Sequence, residues 1–381
     1  MVKSATDPRL EGRPRIGKNV DFDFMVNRQG RKWRAFDPSI EKFLSKRGWR
    51  HCTLDEISEE PIYDDTVLIF RYRGGFGDLI TALPGIENIA MQWKEVHIAV
   101  PKEFLFLYAH IENAKLFDYH ELFGISIGPE RKHTTRYLEV RERYRLSLDM
   151  FCPAGVHENY TKQQPTFNRI ECFSWLLDEP SRAPVIPEAN FGGKESVVDL
   201  EVPSMKFTLR EWTQKKLRGE YKALVGVQIQ SENVSKDWAI GNYRKLCNVL
   251  LRNDILPVVF HPNMIIGEFP HFVKQPIKTV TAALSWMDLV IGPDSGLLHT
   301  AAALGKPTIW LFGPTAGSLT IKYYKDAKVV ECYTGLKCRF PCYYSREMNG
   351  FYCIDRYGDC MNKITVGMVY KKIQESLIAG S

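Results

Sequence analysis

The sequence predicts an α/β chain made of two βαβ domains in series. Near-continuous apolar runs of strand length alternate with longer amphipathic runs, the pattern of a parallel sheet covered by helices. The alternation occurs twice, on either side of a Pro- and Gly-rich stretch at residues 180–196. Size agrees: 381 residues, 44% hydrophobic and 25% charged, suffice for two cores and argue against disorder.

Residues 1–24 are polar and punctuated by Pro and Gly. "DPSIEKFLSKRG" (37–48) reads as a short helix with Asp37 as cap, Pro38 in its first turn and Gly48 as its stop. The first strong strand is "DTVLIFRY" (65–72), followed by three glycines, a helix over 78–93 that contains Pro84, and a strand over 95–101. Segments 136–150 and 164–180 have helical or mixed periodicity. The second series reads helix 208–219, strand 222–229, helix 242–253, strand 256–262, a helical 281–287, strand 288–292, helix 296–305 and strand 307–313. The expected division is a basic N-terminal extension (1–60), an N-terminal Rossmann-like domain (61–200), a C-terminal one (201–365) and a C-terminal helix (366–381).

The net charge of +6 is concentrated at the start: residues 1–50 hold 13 Lys and Arg against 6 Asp and Glu, leaving the rest near neutral. "NRQGRKWRAF" (27–36) and "SKRGWR" (45–50) mix cations with Trp, which suits a phosphate-bearing partner and equally describes a solvated tail. No run approaches the roughly 18–20 apolar residues of a membrane span, and the first residues lack the apolar core of a signal peptide, so a cytoplasmic location is expected. The nine cysteines are an odd, clustered set, unlike a secreted disulfide framework.

In open parallel sheets ligands bind beyond the carboxyl ends of the strands. "GPDSGLLH" (292–299) follows a strand and starts a helix, so free N–H groups and a positive helix end would face a diphosphate. There Asp294 and Ser295 can accept from sugar or ribose hydroxyls or cap the helix, Gly296 allows close approach, and His299 lies one turn in. "GPTAG" (313–317), with Gly313 and Thr315, holds the equivalent place after the next strand. "QSENVSKDW" (230–238) brings Ser231, the mobile cation Lys236 and Trp238 as a loop anchor. "RYRGGFGDLI" (71–80) places Gly75, Gly77 and Asp78 at another strand-to-helix turn. It lacks the G-x-G-x-x-G register of a dinucleotide fingerprint, since position 80 is Ile80.

Taken together, "GFGDLITALPGI" (75–86), "SKDW" (235–238) and "GPDSGLLHTAAALGKPTIWLFGPT" (292–315) resemble glycosyltransferase family 9, the ADP-heptose:lipopolysaccharide heptosyltransferases and their relatives. The resemblance covers roughly residues 65–370. It implies a GT-B fold, two Rossmann-like domains facing across a cleft, with acceptor on the first and nucleotide sugar on the second. It further implies an inverting glycosyltransferase without a catalytic metal or required cofactor. Asp78 matches the proposed general base and Lys236 the lysine at the donor diphosphate. Asp294, Ser295, Gly296 and His299 match the donor-binding block. Ser295 stands where the family often has Thr, and "QSEN" replaces hydroxyl-rich residues ahead of Lys236.

The implied partners are a nucleotide sugar, with an ADP-sugar favoured, and an anionic acceptor such as lipopolysaccharide core, with peripheral contact to a membrane surface. A modified base in phage DNA is the alternative acceptor, and a non-catalytic nucleotide-sugar-binding protein the alternative class. Asp78 as a mere helix cap is the structural alternative to its role as base. Asp21 and Asp23 form the one Asp-x-Asp pair, upstream of the first sheet strand. Cys338, Cys342, Cys353 and Cys360 have a C-x3-C-x10-C-x6-C spacing that a structural zinc or an iron–sulfur cluster could accept. Packing thiols or local disulfides fit it as well.

Overall fold

The computed structural model describes residues 24–26, 32–34, 50–52, 63–71, 75–124, 140–150 (bar 142), 168–176, 181–199, 208–231, 234–336 (bar 262, 265 and 274) and 359–379. The chain is α/β and forms two compact units, each built on its own sheet. The expected helix at 37–48, the Asp21/Asp23 pair and Cys338, Cys342 and Cys353 lie outside the described residues.

The first sheet holds β1 (Phe24–Val26), β2 (Lys32–Arg34), β3 (Arg50–Cys52), β4 (Tyr63–Phe70), β5 (Glu95–Val100), β6 (Ala114–Asp118) and β7 (Tyr144–Asp149). Its order is β3-β1-β2-β7-β4-β5-β6. The strands from β2 to β6 run parallel, and β1 pairs antiparallel with β2 and β3. Three short strands of the basic N-terminal segment are thus part of the sheet. β4 reads as a near-continuous apolar run because it lies between two neighbours, and Val67 to Phe70 are all buried. Helix α1 (Phe76–Ala90) follows it, with Pro84 inside, and α2 (Arg169–Leu176) comes late in this half.

The second sheet holds β8 (Ala223–Gln228), β9 (Ile255–Phe260), β10 (His271–Phe272), β11 (Leu289–Pro293), β12 (Thr308–Phe312) and β13 (Ala327–Glu331). All are parallel, in the order β10-β9-β8-β11-β12-β13. The order reverses between β8 and β11, so the loops leaving these two strands diverge and open a crevice at their carboxyl ends. Helices α3 (Leu209–Leu217), α4 (Ile240–Leu251), α5 (Ile277–Leu284), α6 (Gly296–Ala303) and α7 (Val366–Ala379) accompany it.

Local signals account for several ends. Thr208 and Glu211 form a capping box at the start of α3, a feature worth about 1 kcal/mol. The core contains Val225, Val227, Ile291, Ile309 and Leu311 with no exposed surface, each worth about 1.5–3 kcal/mol of burial. Val369 and Ile373 of α7 join the same core. The contact division runs between Arg182 and Ala183 and also places Gly75–Thr81 in the second unit. No helix among the described residues is long and apolar enough to cross a membrane.

Candidate functional site

Three neighbouring strands of the second sheet, β8, β11 and β12, deliver the candidate donor residues. β8 leads through Gln230 and Ser231 to a one-turn helix, Val234–Lys236. β11 ends on Pro293, so Asp294 and Ser295 are the two residues before α6. β12 ends on Phe312, and Gly313 and Thr315 follow.

Lys236 is held rather than mobile: its Nζ donates to Asp294 Oδ2 at 2.9 Å, and the two side chains are only 14% and 10% exposed. His299 joins them, with Nε2 3.8 Å from Asp294 Oδ1. Burial pushes the Asp294 carboxyl up, but the charges of Lys236 and His299 outweigh it and hold the group below its ordinary value. Asp294 is therefore the counter-ion of the cluster, and the cap position of α6 belongs to Ser295.

Three polar atoms here are buried and make no hydrogen bond: Ser295 Oγ, Thr315 Oγ1 and Gln228 Oε1. Thr315 lies close enough to help keep Asp294 charged, without good hydrogen-bond geometry. Each atom belongs to the carboxyl-terminal end of β8, β11 or β12, where a polar ligand would satisfy it.

The loop carrying Lys236 is anchored at both sides. Ser231 donates its N–H and hydroxyl to Asp237 Oδ1 at 2.6 and 3.0 Å. Burial pushes the Asp237 carboxyl up. Trp238 donates Nε1–H to the Ile364 carbonyl at 2.8 Å and packs edge-on against Tyr243. His261 accepts the N–H of Asn263 and Met264 at Nδ1, leaving Nε2–H to donate to Gln230 Oε1. Burial holds the His261 imidazole below its ordinary pKa.

The glycines are explained by packing. A Cβ on Gly296 would lie 2.9 Å from Gly77 N and 3.0 Å from Phe76 Cβ. A Cβ on Gly77 would lie 2.9 Å from His299 Cδ2. The first turn of α1 thus sits against the first turn of α6, two positive helix ends side by side within the second unit. The space beside Gly313 is taken by Met361 Sδ and Cys360 Sγ. Gly77→Ala is expected to cost about 1–3 kcal/mol through overpacking, whereas Gly241→Ala, which meets nothing within 4 Å, should leave thermal melting nearly unchanged. Equal melting shifts for the two variants would contradict this account.

Asp78 is the third residue of α1, half-buried and past the N-cap position. Its N–H donates to the Gly75 carbonyl at 3.1 Å, and its own carbonyl accepts the Thr81 hydroxyl at 3.0 Å. Among the described residues no group of three or more His, Cys, Asp or Glu could hold a metal ion.

Residues 273–341 match the family model glycosyltransferase family 9 (heptosyltransferase), which spans α5 to β13 and so the whole Asp294 block. That stretch is therefore similar to glycosyltransferase family 9 over the second sheet's candidate donor block. The lipopolysaccharide core heptosyltransferase OpsX of Haemophilus influenzae is 30% identical over 123 residues, 27% of this chain and 34% of that relative. The match therefore spans about a third of the curated protein's length.

Among solved structures, the iron-containing dodecameric glycosyltransferase TibC from enterotoxigenic E. coli is similar with a TM-score of 0.58 at 17% identity, covering 87% of this chain and 79% of that one. TibC in complex with ADP-D-β-D-heptose gives 0.57 at 16% identity, covering 83% and 78%. At such identity the likeness concerns the fold alone, which here is α/β with two parallel-sheet units.

Sequence reasoning found Asp294, Lys236 and His299 but missed their partners. Tyr324, which meets His299, lies 25 residues further on and belongs to no motif. Gln228 is hidden as the polar last residue of an apolar strand, and that position beside a Gly292 packed on it was the available signal.

Proposed function

We propose that the chain is an inverting, metal-independent glycosyltransferase that moves a sugar from a nucleotide-diphosphate donor to a glycan acceptor. The observation that carries this is the set of unsatisfied atoms of Ser295, Thr315 and Gln228 around the Lys236–Asp294–His299 cluster, at the start of α6. A diphosphate sugar supplies what such a place needs: negative charge for Lys236 and the helix end, and hydroxyls for the buried oxygens.

Asp78 is assigned as general base. It takes the proton from the acceptor hydroxyl as that oxygen attacks the anomeric carbon from the face opposite the leaving diphosphate. The bond from the anomeric carbon to the diphosphate oxygen breaks with its electron pair on the leaving group. Lys236 and the amides at the start of α6 stabilise the charge that grows there. The family and the ADP-heptose held by TibC favour an ADP-sugar as donor. The OpsX relative favours a lipopolysaccharide core acceptor, in keeping with a cytoplasmic enzyme that meets the membrane peripherally. The DNA acceptor would rest on the basic, Trp-bearing segments 27–36 and 45–50, most of which lies outside the described residues.

The late cysteines are assigned a structural metal. The spacing of Cys338, Cys342, Cys353 and Cys360 supports it, and the similar TibC is described as iron-containing. Cys360 itself is half-buried beside Gly313.

The test incubates the purified chain with ADP-, UDP- and GDP-sugars, with and without lipopolysaccharide, and measures release of the nucleoside diphosphate. Acceptor-dependent release from one ADP-sugar, with inverted product, is expected. No binding or turnover of any nucleotide sugar would overturn the reading. Metal analysis of the same sample should return about one metal equivalent per four-cysteine site, a count for which zinc is the simplest case. Its absence from freshly purified protein would remove the metal assignment.

A further inference from the structure

The ring of His299 is fixed from several sides. Nδ1 lies 2.7 Å from the Tyr324 hydroxyl oxygen, and Nε2 lies 3.8 Å from Asp294 Oδ1. The ring also meets Trp310 edge-on, with centroids 4.9 Å apart at 76°. Tyr324 stacks on Trp310 at 5.9 Å and 18°, and is 6% exposed. A ring flip would turn carbon atoms toward both Tyr324 and Asp294, losing both polar contacts.

The neutral ring has two proton arrangements, and the imidazolium, with both nitrogens protonated, would leave Tyr324 only to accept. If Nδ1–H donated to Tyr324, the Nε2 lone pair would face the Asp294 carboxylate, anion against lone pair. If the Tyr324 hydroxyl donates to Nδ1, Nε2 carries the proton and presents it to Asp294. Burial and the nearby Asp294 charge both push the Tyr324 phenol above its ordinary range, so the hydroxyl proton is there to donate.

We propose that Tyr324 is a positioning residue: its hydroxyl donates to His299 Nδ1 and so fixes Nε2–H as the proton that His299 presents to Asp294 and to an incoming donor diphosphate. The role in donor binding rests on the glycosyltransferase reading; the proton arrangement in the free protein does not. The result is a line of four groups, Tyr324, His299, Asp294 and Lys236, each oriented by the next. It gives the diphosphate a directed imidazole N–H beside the Lys236 ammonium. A phenylalanine at 324 would keep the stack on Trp310 and lose only the donor.

The experiment records histidine side-chain ¹⁵N spectra of the whole chain at neutral pH, with the His299 signals assigned through a His299→Gln variant. Wild type is expected to show His299 as the Nε2–H tautomer, and Tyr324→Phe a mixture with Nδ1–H. Calorimetric titration with ADP as probe should show binding about 3- to 10-fold weaker in Tyr324→Phe, the loss of one hydrogen bond's worth of ordering, with little change in melting temperature. His299 found as Nδ1–H, or protonated on both nitrogens, in wild type at neutral pH would overturn the proposal without any variant. So would an Nε2–H population unchanged in Tyr324→Phe. If wild type binds no nucleoside diphosphate, the functional reading fails, while the tautomer result still decides the role of Tyr324.

Discussion

Asp78→Asn is expected to abolish turnover while leaving donor binding close to wild type. The substitution keeps the volume and planar shape of the side chain, and the backbone contacts of residue 78 with Gly75 and Thr81 do not depend on the carboxylate. Asn cannot accept the acceptor's proton. The loss should be on the order of 10²–10⁴ in kcat, the range general-base catalysis supplies. Titration of the variant with ADP separates the possibilities. Lost turnover with intact binding supports the base, near-normal turnover rules it out, and loss of both makes Asp78 a binding residue.

Lys236→Ala should have the second large effect, on rate and stability together. Removing the cation proposed to meet the leaving diphosphate is expected to lower kcat by about 10²–10³-fold. It also leaves the 10%-exposed Asp294 without its ammonium at 2.9 Å, which costs roughly 3–5 kcal/mol when a buried pair is broken from one side. The pH dependence has a defined sign. The Asp294 carboxyl is held below its ordinary value of 3.8 in the folded chain, so its contribution to stability is present above that value and lost as pH falls through the folded one. In Lys236→Ala burial dominates, and acid unfolding should begin at a higher pH. Melting curves from pH 3 to 7 check this. The double variant Lys236→Ala, Asp294→Asn should regain part of the stability but none of the rate; a double variant as unstable as the single one would contradict the ion-pair account.

Much of the fold was legible because both sheets have parallel cores. Strands β4, β5, β8, β9, β11 and β12 are apolar on both faces and bounded by turn residues, so length and composition alone placed them within about three residues. The edge strands β6 and β13 were not read. "AKLFD" and "AKVVE" are short, charged and half-exposed, and nothing in such a run separates a strand from a loop. β7 was obscured within residues 136–150, where Arg and Glu recur at mixed spacing although Tyr144–Asp149 is a strand.

In the site, strand-end placement found residues one at a time. It could not find the Lys236–Asp294 bond, which joins positions 58 residues apart and exists only because β8 and β11 are neighbours. It also assigned Gly296 to ligand approach, whereas the space beside it is filled by Gly77 and Phe76 of α1.

The anchor of Trp238 on Ile364 has a further consequence, for the order in which the site can come into being. The loop bearing Lys236 is tied to a carbonyl 126 residues further along, in a core that α7 helps to build. During synthesis, which proceeds from the N-terminus, β8, β11 and their helices leave the ribosome first. The loop bearing Lys236 then waits for the segment around Ile364. The half-made protein holds every candidate site residue and still lacks the brace that sets their loop.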